Sequence, residues 1–223
     1  MKRIISLMLI TLGLTAGSAH AKLNVVASSS DLASIAEFIG GNLISVKYIV
    51  DGRSDPHFVE VLPSYMVMVS RADLYLKIGL GLDFWAQPII DGSRNGKLKI
   101  ADCSEGIDVL EKPSGPVSAL LGDVHPQGNP HYWLDPANAL IIAHNIANAL
   151  SEADPTNKVA YETGLKTFTD RLNAKITYWQ DASAPLKGLQ MITYHNSWPY
   201  FCKAFGIKVA GFIEPKPGIE PTA

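Results

Sequence analysis

The sequence predicts an α/β protein: two lobes with parallel sheets joined by a long rigid helix, the second lobe incomplete in this chain. Three observations predict it. Four apolar β-type runs alternate with helical segments from Lys22 to Ala101, one long amphipathic stretch follows an Asp-Pro signal, and the alternation resumes beyond Pro185. With 47% apolar residues, 18% charged residues and two cysteines among 223, the chain is neither a disordered segment nor a disulfide scaffold. A net charge of −2 without basic runs argues against a nucleic-acid partner.

Leu23 to Ala27 is a β-type run, and Asp31 to Phe38 is helical, stopping at Gly40-Gly41. Leu43 to Val50 is a second strand, ending in the polar turn Asp51-Gly52-Arg53-Ser54. Pro63 to Arg71 reads as a short helix with proline at its first position, where no N–H is needed. Leu74 to Ile78 is a third strand, Asp83 to Ile90 a helix, Asn95-Gly96 a turn and Leu98 to Ala101 a fourth strand. Strands that alternate with helices pair in parallel, with the crossovers covering both faces.

Asp135-Pro136 combines an N-cap with proline at N1 and opens a helix to about Leu150. Asp154-Pro155 repeats the signal and opens a longer helix that ends before Pro185. In it Tyr161, Leu165, Phe168, Leu172, Ile176 and Trp179 step by three or four into one apolar stripe, while Glu162, Lys166 and Asp170 pair on the exposed side. About thirty residues at ~1.5 Å each give a rod of ~45 Å, longer than one lobe needs, which reads as a strut between two lobes. Strand Leu189 to Tyr194, helix Ser197 to Phe205 and strand Ile207 to Ile213 follow. So little chain after Pro185 hardly makes an independent core, and the expectation is a C-terminally truncated fragment. The expected organisation is a signal peptide over 1–21, an N-terminal α/β lobe over 22–134, a helical segment with the interlobe helix over 135–185, and a partial C-terminal α/β lobe over 186–223.

Met1-Lys2-Arg3 is a basic n-region, Ile4 to Leu14 an apolar h-region too short to span a bilayer, and Ala19-His20-Ala21 a small-x-small cleavage site. This predicts secretion through a cleaved signal peptide to the periplasm. No cysteine stands at the cleavage point to take a lipid, so no stable membrane anchor is expected. Cys103 and Cys202 would then meet an oxidising compartment, either paired or as two small buried hydrophobes.

His57 in Asp55-Pro56-His57, His131 in Asn129-Pro130-His131-Tyr132-Trp133, and His195 in Tyr194-His195-Asn196-Ser197-Trp198 all fall in loops at element ends. In open α/β sheets such loops collect ligands beyond the carboxyl ends of the strands. Three neutral imidazoles suit a borderline cation such as Zn²⁺, with a fourth position needed for tetrahedral closure. Their separations match no local zinc motif.

Together with the leader, Asp55-Pro56-His57, Asn129-Pro130-His131-Tyr132-Trp133-Leu134-Asp135-Pro136, Tyr194-His195-Asn196-Ser197-Trp198 and Gly218-Ile219-Glu220-Pro221 resemble the metal-binding substrate-binding proteins of ABC transporters, the zinc/manganese cluster. The resemblance implies two α/β lobes joined by a long rigid helix, a metal ion in the cleft between them and delivery to a membrane permease. Carried over by position, it makes His57 and His131 ligands from the first lobe and His195 a ligand from the second. A third histidine there implies Zn²⁺ rather than Mn²⁺, and the fourth ligand, a carboxylate or water, is expected beyond residue 223. The resulting expectation is a monomeric, non-enzymatic zinc carrier. A manganese or iron member of the same family is the alternative, and a zinc-dependent hydrolase the alternative from another class; no His-Glu-x-x-His helix supports the latter.

Six histidines occur in all. His125 reads as an exposed loop histidine, with metal capture as the alternative. His144, on a stripe with Leu140 and Ile141, reads as a core histidine. Glu60 would point away from His57 if a helix begins there. Asp135 reads as an N-cap, with orientation of a ligand histidine as the alternative, and Trp133 and Trp198 as packing in the cleft. Asp123 and Glu214 have no assigned role.

Overall fold

The computed structural model describes residues 21–115 and 125–214, together with residues 216, 218 and 219. The expected signal peptide, except Ala21, lies outside the described residues, as do Asp123 and Glu220. Four parallel strands form the main sheet: β1 (Leu23–Ser29), β2 (Ile44–Val50), β3 (Leu74–Lys77) and β4 (Lys99–Asp102), in the order β2-β1-β3-β4. A second, two-stranded parallel sheet pairs β5 (Gln190–Thr193) with β6 (Lys208–Phe212). The helices are α1 (Ser30–Gly40), α2 (Pro63–Val69), α3 (Ala86–Ser93), α4 (Asn138–Ala153), α5 (Lys158–Ala182) and α6 (Pro199–Phe205).

β1 is central and apolar on both faces, as a strand covered by crossover helices must be. Val25 and Ala27 join Leu32, Ala36 and Ile39 of α1 and Ile142, Ile146 and Leu150 of α4 in one core. Val26 turns to the other face and packs with Val69, Tyr75, Ala86 and Ile89 beneath α2 and α3. The chain winds from β1 to β2 on one side and returns to β3 on the other. The order therefore reverses between β1 and β3, and the loops after β2, β3 and β4 gather at one end of the sheet.

Several element starts differ from expectation. The helix read from Asp83 begins at Ala86, because the Asp83 carboxylate turns inward. It accepts the N–H groups of Ile78 (2.7 Å) and Gly79 (3.1 Å) and the Ser28 hydroxyl (2.6 Å), so residues 78–85 form a turn around it. Burial raises the Asp83 carboxyl from its usual range against these bonds. At Asp135-Pro136 the first turns are of the tighter i→i+3 kind, with Asp135 Oδ1 accepting from Ala137 N, and α-helix begins at Asn138. The Asp154 side chain accepts from Tyr161 Oη (2.8 Å) and Asn157 Nδ2 rather than capping backbone, and a short 3₁₀ turn precedes α5. α5 therefore has 25 residues, about 37 Å at ~1.5 Å each, shorter than the expected rod. Its stripe grades from a buried Tyr161 to a Trp179 that is 37% exposed, so only the first half packs on the first lobe. His144 is exposed, since the buried face of α4 runs through Ile142, Ala143, Ile146, Ala147 and Leu150. Cys103 and Cys202 are both buried and free.

α5 meets α1 at Gly164, where an added β-carbon would overlap the carbonyl oxygen of Ile39. Phe38 and Phe168 pack edge to face beside it, centroids 5.4 Å apart. Gly164→Ala is expected to destabilise the protein by about 1–3 kcal/mol through overpacking. At an unobstructed helix site the same exchange gains ~1 kcal/mol in propensity. Urea unfolding of the two proteins checks the sign.

Candidate metal centre

His57 lies in the loop after β2. Asp55 Oδ1 accepts both its backbone N–H (2.9 Å) and its ring Nδ1 (2.7 Å), and Trp85 Nε1 donates to the intervening Pro56 carbonyl at 2.8 Å. Burial acts to raise the Asp55 carboxyl, but the two bonds from His57, together with the nearby charge of His57 and His195, hold it below the usual range. His131 repeats the arrangement: Asn129 Oδ1 accepts its N–H and its ring Nδ1, each at 3.0 Å. Tyr132, fully buried next to it, anchors this loop to the sheet by donating to the Ile78 carbonyl at 2.8 Å. His195 follows β5; its Nδ1 meets Glu214 Oε2 at 2.7 Å, and Gly218 N donates to the same oxygen at 3.0 Å.

These three loops bring the imidazoles together. Ring centroids are 5.1 Å apart for His57–His131, 5.0 Å for His57–His195 and 5.4 Å for His131–His195. One potential ligand nitrogen from each lies within 4.8 Å of the other two. A tetrahedral ion with bonds of about 2.1 Å needs nitrogens about 3.4 Å apart, so a closure of at most about 1.4 Å suffices. His57 Nε2 is buried without a hydrogen-bond partner. The pocket around the three rings, about 310 Å³, is also lined by Trp133, Leu134, Tyr194 and Glu214. Burial, reinforced by the neighbouring His57 and His195, pushes His131 down to about 2, so its ring is neutral at ordinary pH.

His125 is half-buried rather than an exposed loop histidine, with its ring 5.3 Å from that of His57 and its Nε2 buried without a partner. Burial, with His57 nearby, lowers it to about 4. It lines a cavity of about 540 Å³ on the far side of His57, together with Phe58, Glu60, Phe84 and Trp85. No helix starts at Glu60, which borders this cavity and is outside the three-histidine group. Trp133 packs 5.4 Å from His131 as expected of a cleft residue, whereas Trp198 is 38% exposed and rests on Phe201. Asp135 bonds the Ala137 N–H of its own turn.

The residues that sequence reasoning passed over are the partners of Nδ1. The signal for two of them was present: Asp-Pro-His and Asn-Pro-His are one pattern, an acceptor two residues ahead of a histidine across a proline. Glu214, nineteen positions from His195, had no local signal.

The family described as zinc-uptake complex component A, periplasmic (ZnuA) matches residues 25–223. The manganese ABC transporter substrate-binding lipoprotein PsaA of Streptococcus pneumoniae serotype 4 is 33% identical over 198 residues, covering 85% of this chain and 61% of that protein. The manganese ABC transporter substrate-binding lipoprotein scaA of Streptococcus gordonii is 33% identical over 202 residues, 86% of this chain and 62% of its own. The chain thus spans about three fifths of the length of these relatives. Among solved structures, a crystal structure of ZnuA aligns with a TM-score of 0.78 at 30% identity, over 91% of this chain and 74% of that one. A zinc-bound ZnuA deletion mutant aligns with a TM-score of 0.77 at 31% identity. With matching fold, matching sequence and a family match across nearly its whole described length, the chain belongs to the ZnuA family.

Proposed function

We propose that the protein captures a divalent metal ion, zinc before manganese, between its two lobes through the Nε2 atoms of His57, His131 and His195, and delivers it to the membrane permease of an ABC transporter. The observation that carries this reading is the convergence of three imidazoles, each with Nδ1 engaged by an acceptor, which leaves three lone pairs for one cation. Neutral nitrogens suit Zn²⁺, with water or a carboxylate in the fourth position, while harder ions such as Mn²⁺ favour oxygen. The manganese transporters among the relatives support a second reading, a manganese- or iron-binding member. A hydrolase is the weaker reading: Asp55 and Glu214, the carboxylates bonded to the imidazoles, are committed to Nδ1 and do not serve as a general base. The reading includes a periplasmic monomer released by cleavage after Ala21, with residues 22–134 and 186–223 contributing to opposite sides of the cleft and 135–185 connecting them.

His57→Ala, His131→Ala and His195→Ala are each expected to weaken zinc binding by more than the about 10–100-fold typical of losing an outer partner, and Asp55→Ala and Glu214→Ala by an amount within that range. Calorimetric titration with Zn²⁺ and Mn²⁺ checks both the ligands and the order of the ions. Undiminished zinc affinity in all three histidine variants would reject the assignment.

Acid should destabilise the protein freed of metal by a chelator. His131 and His125 stay neutral in the folded chain down to about 2 and about 4, against 6.5 for an ordinary imidazole. Below about pH 6.5 the unfolded chain therefore binds protons that the folded chain refuses, and stability present above that pH is lost as pH falls. Urea midpoints that decline from about pH 7.5 to about 5 are expected; a flat series would contradict the burial of these rings.

A further inference from the structure

Two of the three imidazoles have a carboxylate on Nδ1, whereas His131 has the amide of Asn129. A carboxylate only accepts, so it fixes the Nδ1–H tautomer and leaves the lone pair on Nε2. An amide presents either end, and with Nδ2 towards the ring it would fix the opposite tautomer, whose Nε2–H faces a cation uselessly. The orientation of Asn129 is decided on its other side. Its Nδ2 donates to Glu111 Oε2 at 3.0 Å and to the Asn196 carbonyl at 2.9 Å, while its Oδ1 accepts the His131 N–H. Turning the amide over would set an oxygen against a carboxylate and a carbonyl, and an NH₂ against an N–H.

Glu111 reaches further. The same Oε2 accepts from Asn196 Nδ2 at 2.8 Å, on the residue after His195. Glu111 sits in the segment after β4 with a left-handed backbone, φ +54°, uncommon for a non-glycine residue. The neighbouring Leu110 N–H donates to Tyr200 Oη (3.0 Å), which itself donates to the Asn129 carbonyl (2.8 Å), so α6 of the second lobe closes over the same point.

We infer that Glu111 is a positioning residue of the metal centre: through Asn129 its carboxylate holds His131 in the Nδ1–H tautomer with the Nε2 lone pair free for the ion, and through Asn196 it ties that setting to the docking of the second lobe. The inference rests on His131 being a ligand. The relay also keeps formal charge away from a ring that is only 4% exposed. A carboxylate directly against His131 would be buried with it, whereas Glu111 lies at the surface.

Long-range ¹H–¹⁵N correlation spectra of the chelator-treated protein read the His131 tautomer, and calorimetry with Zn²⁺ reads affinity. The native protein is expected to show Nδ1–H at His131. Glu111→Ala is expected to give a mixture of tautomers and about a 10-fold loss of affinity, the lower end for an outer partner. Glu111→Gln, which still offers an oxygen, restores most of both. Glu111→Ala combined with Asn129→Asp restores the single tautomer, because a carboxylate at 129 needs no relay. Lys203→Ala removes the interlobe ion pair with Asp108 (3.1 Å) and is expected to leave the His131 signal unchanged. An unaltered tautomer in Glu111→Ala, or an equal shift in Lys203→Ala, overturns the relay. Should His131→Ala bind zinc like the native protein, the ligand assignment fails instead, a result distinguishable from either.

Discussion

An imidazole can serve a cation only from a nitrogen that carries no proton, so the structure depends on what each ring's other nitrogen is doing. Asp55, Asn129 and Glu214 occupy the three Nδ1 positions and thereby set three tautomers. In two cases the partner lies two residues upstream across a proline, and one side-chain oxygen accepts both the backbone N–H and the ring. Proline fixes its own φ and restricts the residue before it, so the acceptor is aimed before any tertiary contact forms. His195, lacking that local device, is aimed by a glutamate from the end of the neighbouring strand.

The rest of the fold serves to hold these tripeptides still. Their loops leave the carboxyl ends of β2 and β4, at the end of the sheet where the winding direction reverses. Each is pinned by an aromatic hydrogen-bond donor: Trp85 to the Pro56 carbonyl, and Tyr132 to the Ile78 carbonyl. The turn supplying Ile78 is wrapped around the buried Asp83 carboxylate, so one acid stabilises the platform on which both histidine loops rest. Gly128 is needed for the same reason. At φ +107° it lies against the Leu110 carbonyl, where a β-carbon would come within 2.7 Å.

The parallel sheet, the alternation and the long helix were legible because burial on both faces of β1 and the stripe of α5 leave periodic marks in sequence. The three imidazoles were legible from loop placement and family resemblance, and less so from spacing. The helices start later than the acids Asp83, Asp135 and Asp154 suggest. Asp83 and Asp154 resemble helix caps in sequence but commit their oxygens to a turn and to Tyr161. Asp135 does accept the N–H two residues on, and the turns it caps are of the tighter kind before α-helix begins. His144 lies off the core because the buried face of α4, through Ile142, Ala143 and Ile146, is two positions on from the stripe of Leu140, Ile141 and His144. Glu214, Glu111 and Asn196 act only across long sequence separations, and no local pattern marks them.

Gly164 lets α5 settle directly on the backbone of α1, and that contact makes the helix a cantilever clamped at one end. Its last turns face α6 across a cavity of about 220 Å³ and lack an equivalent clamp. Between that clamp and the second sheet lie the short 3₁₀ turn Ala184–Leu186 and Gly188, whose φ is +82°. His195 is carried on the far side of these residues, whereas His57 and His131 stand in loops on the clamped side.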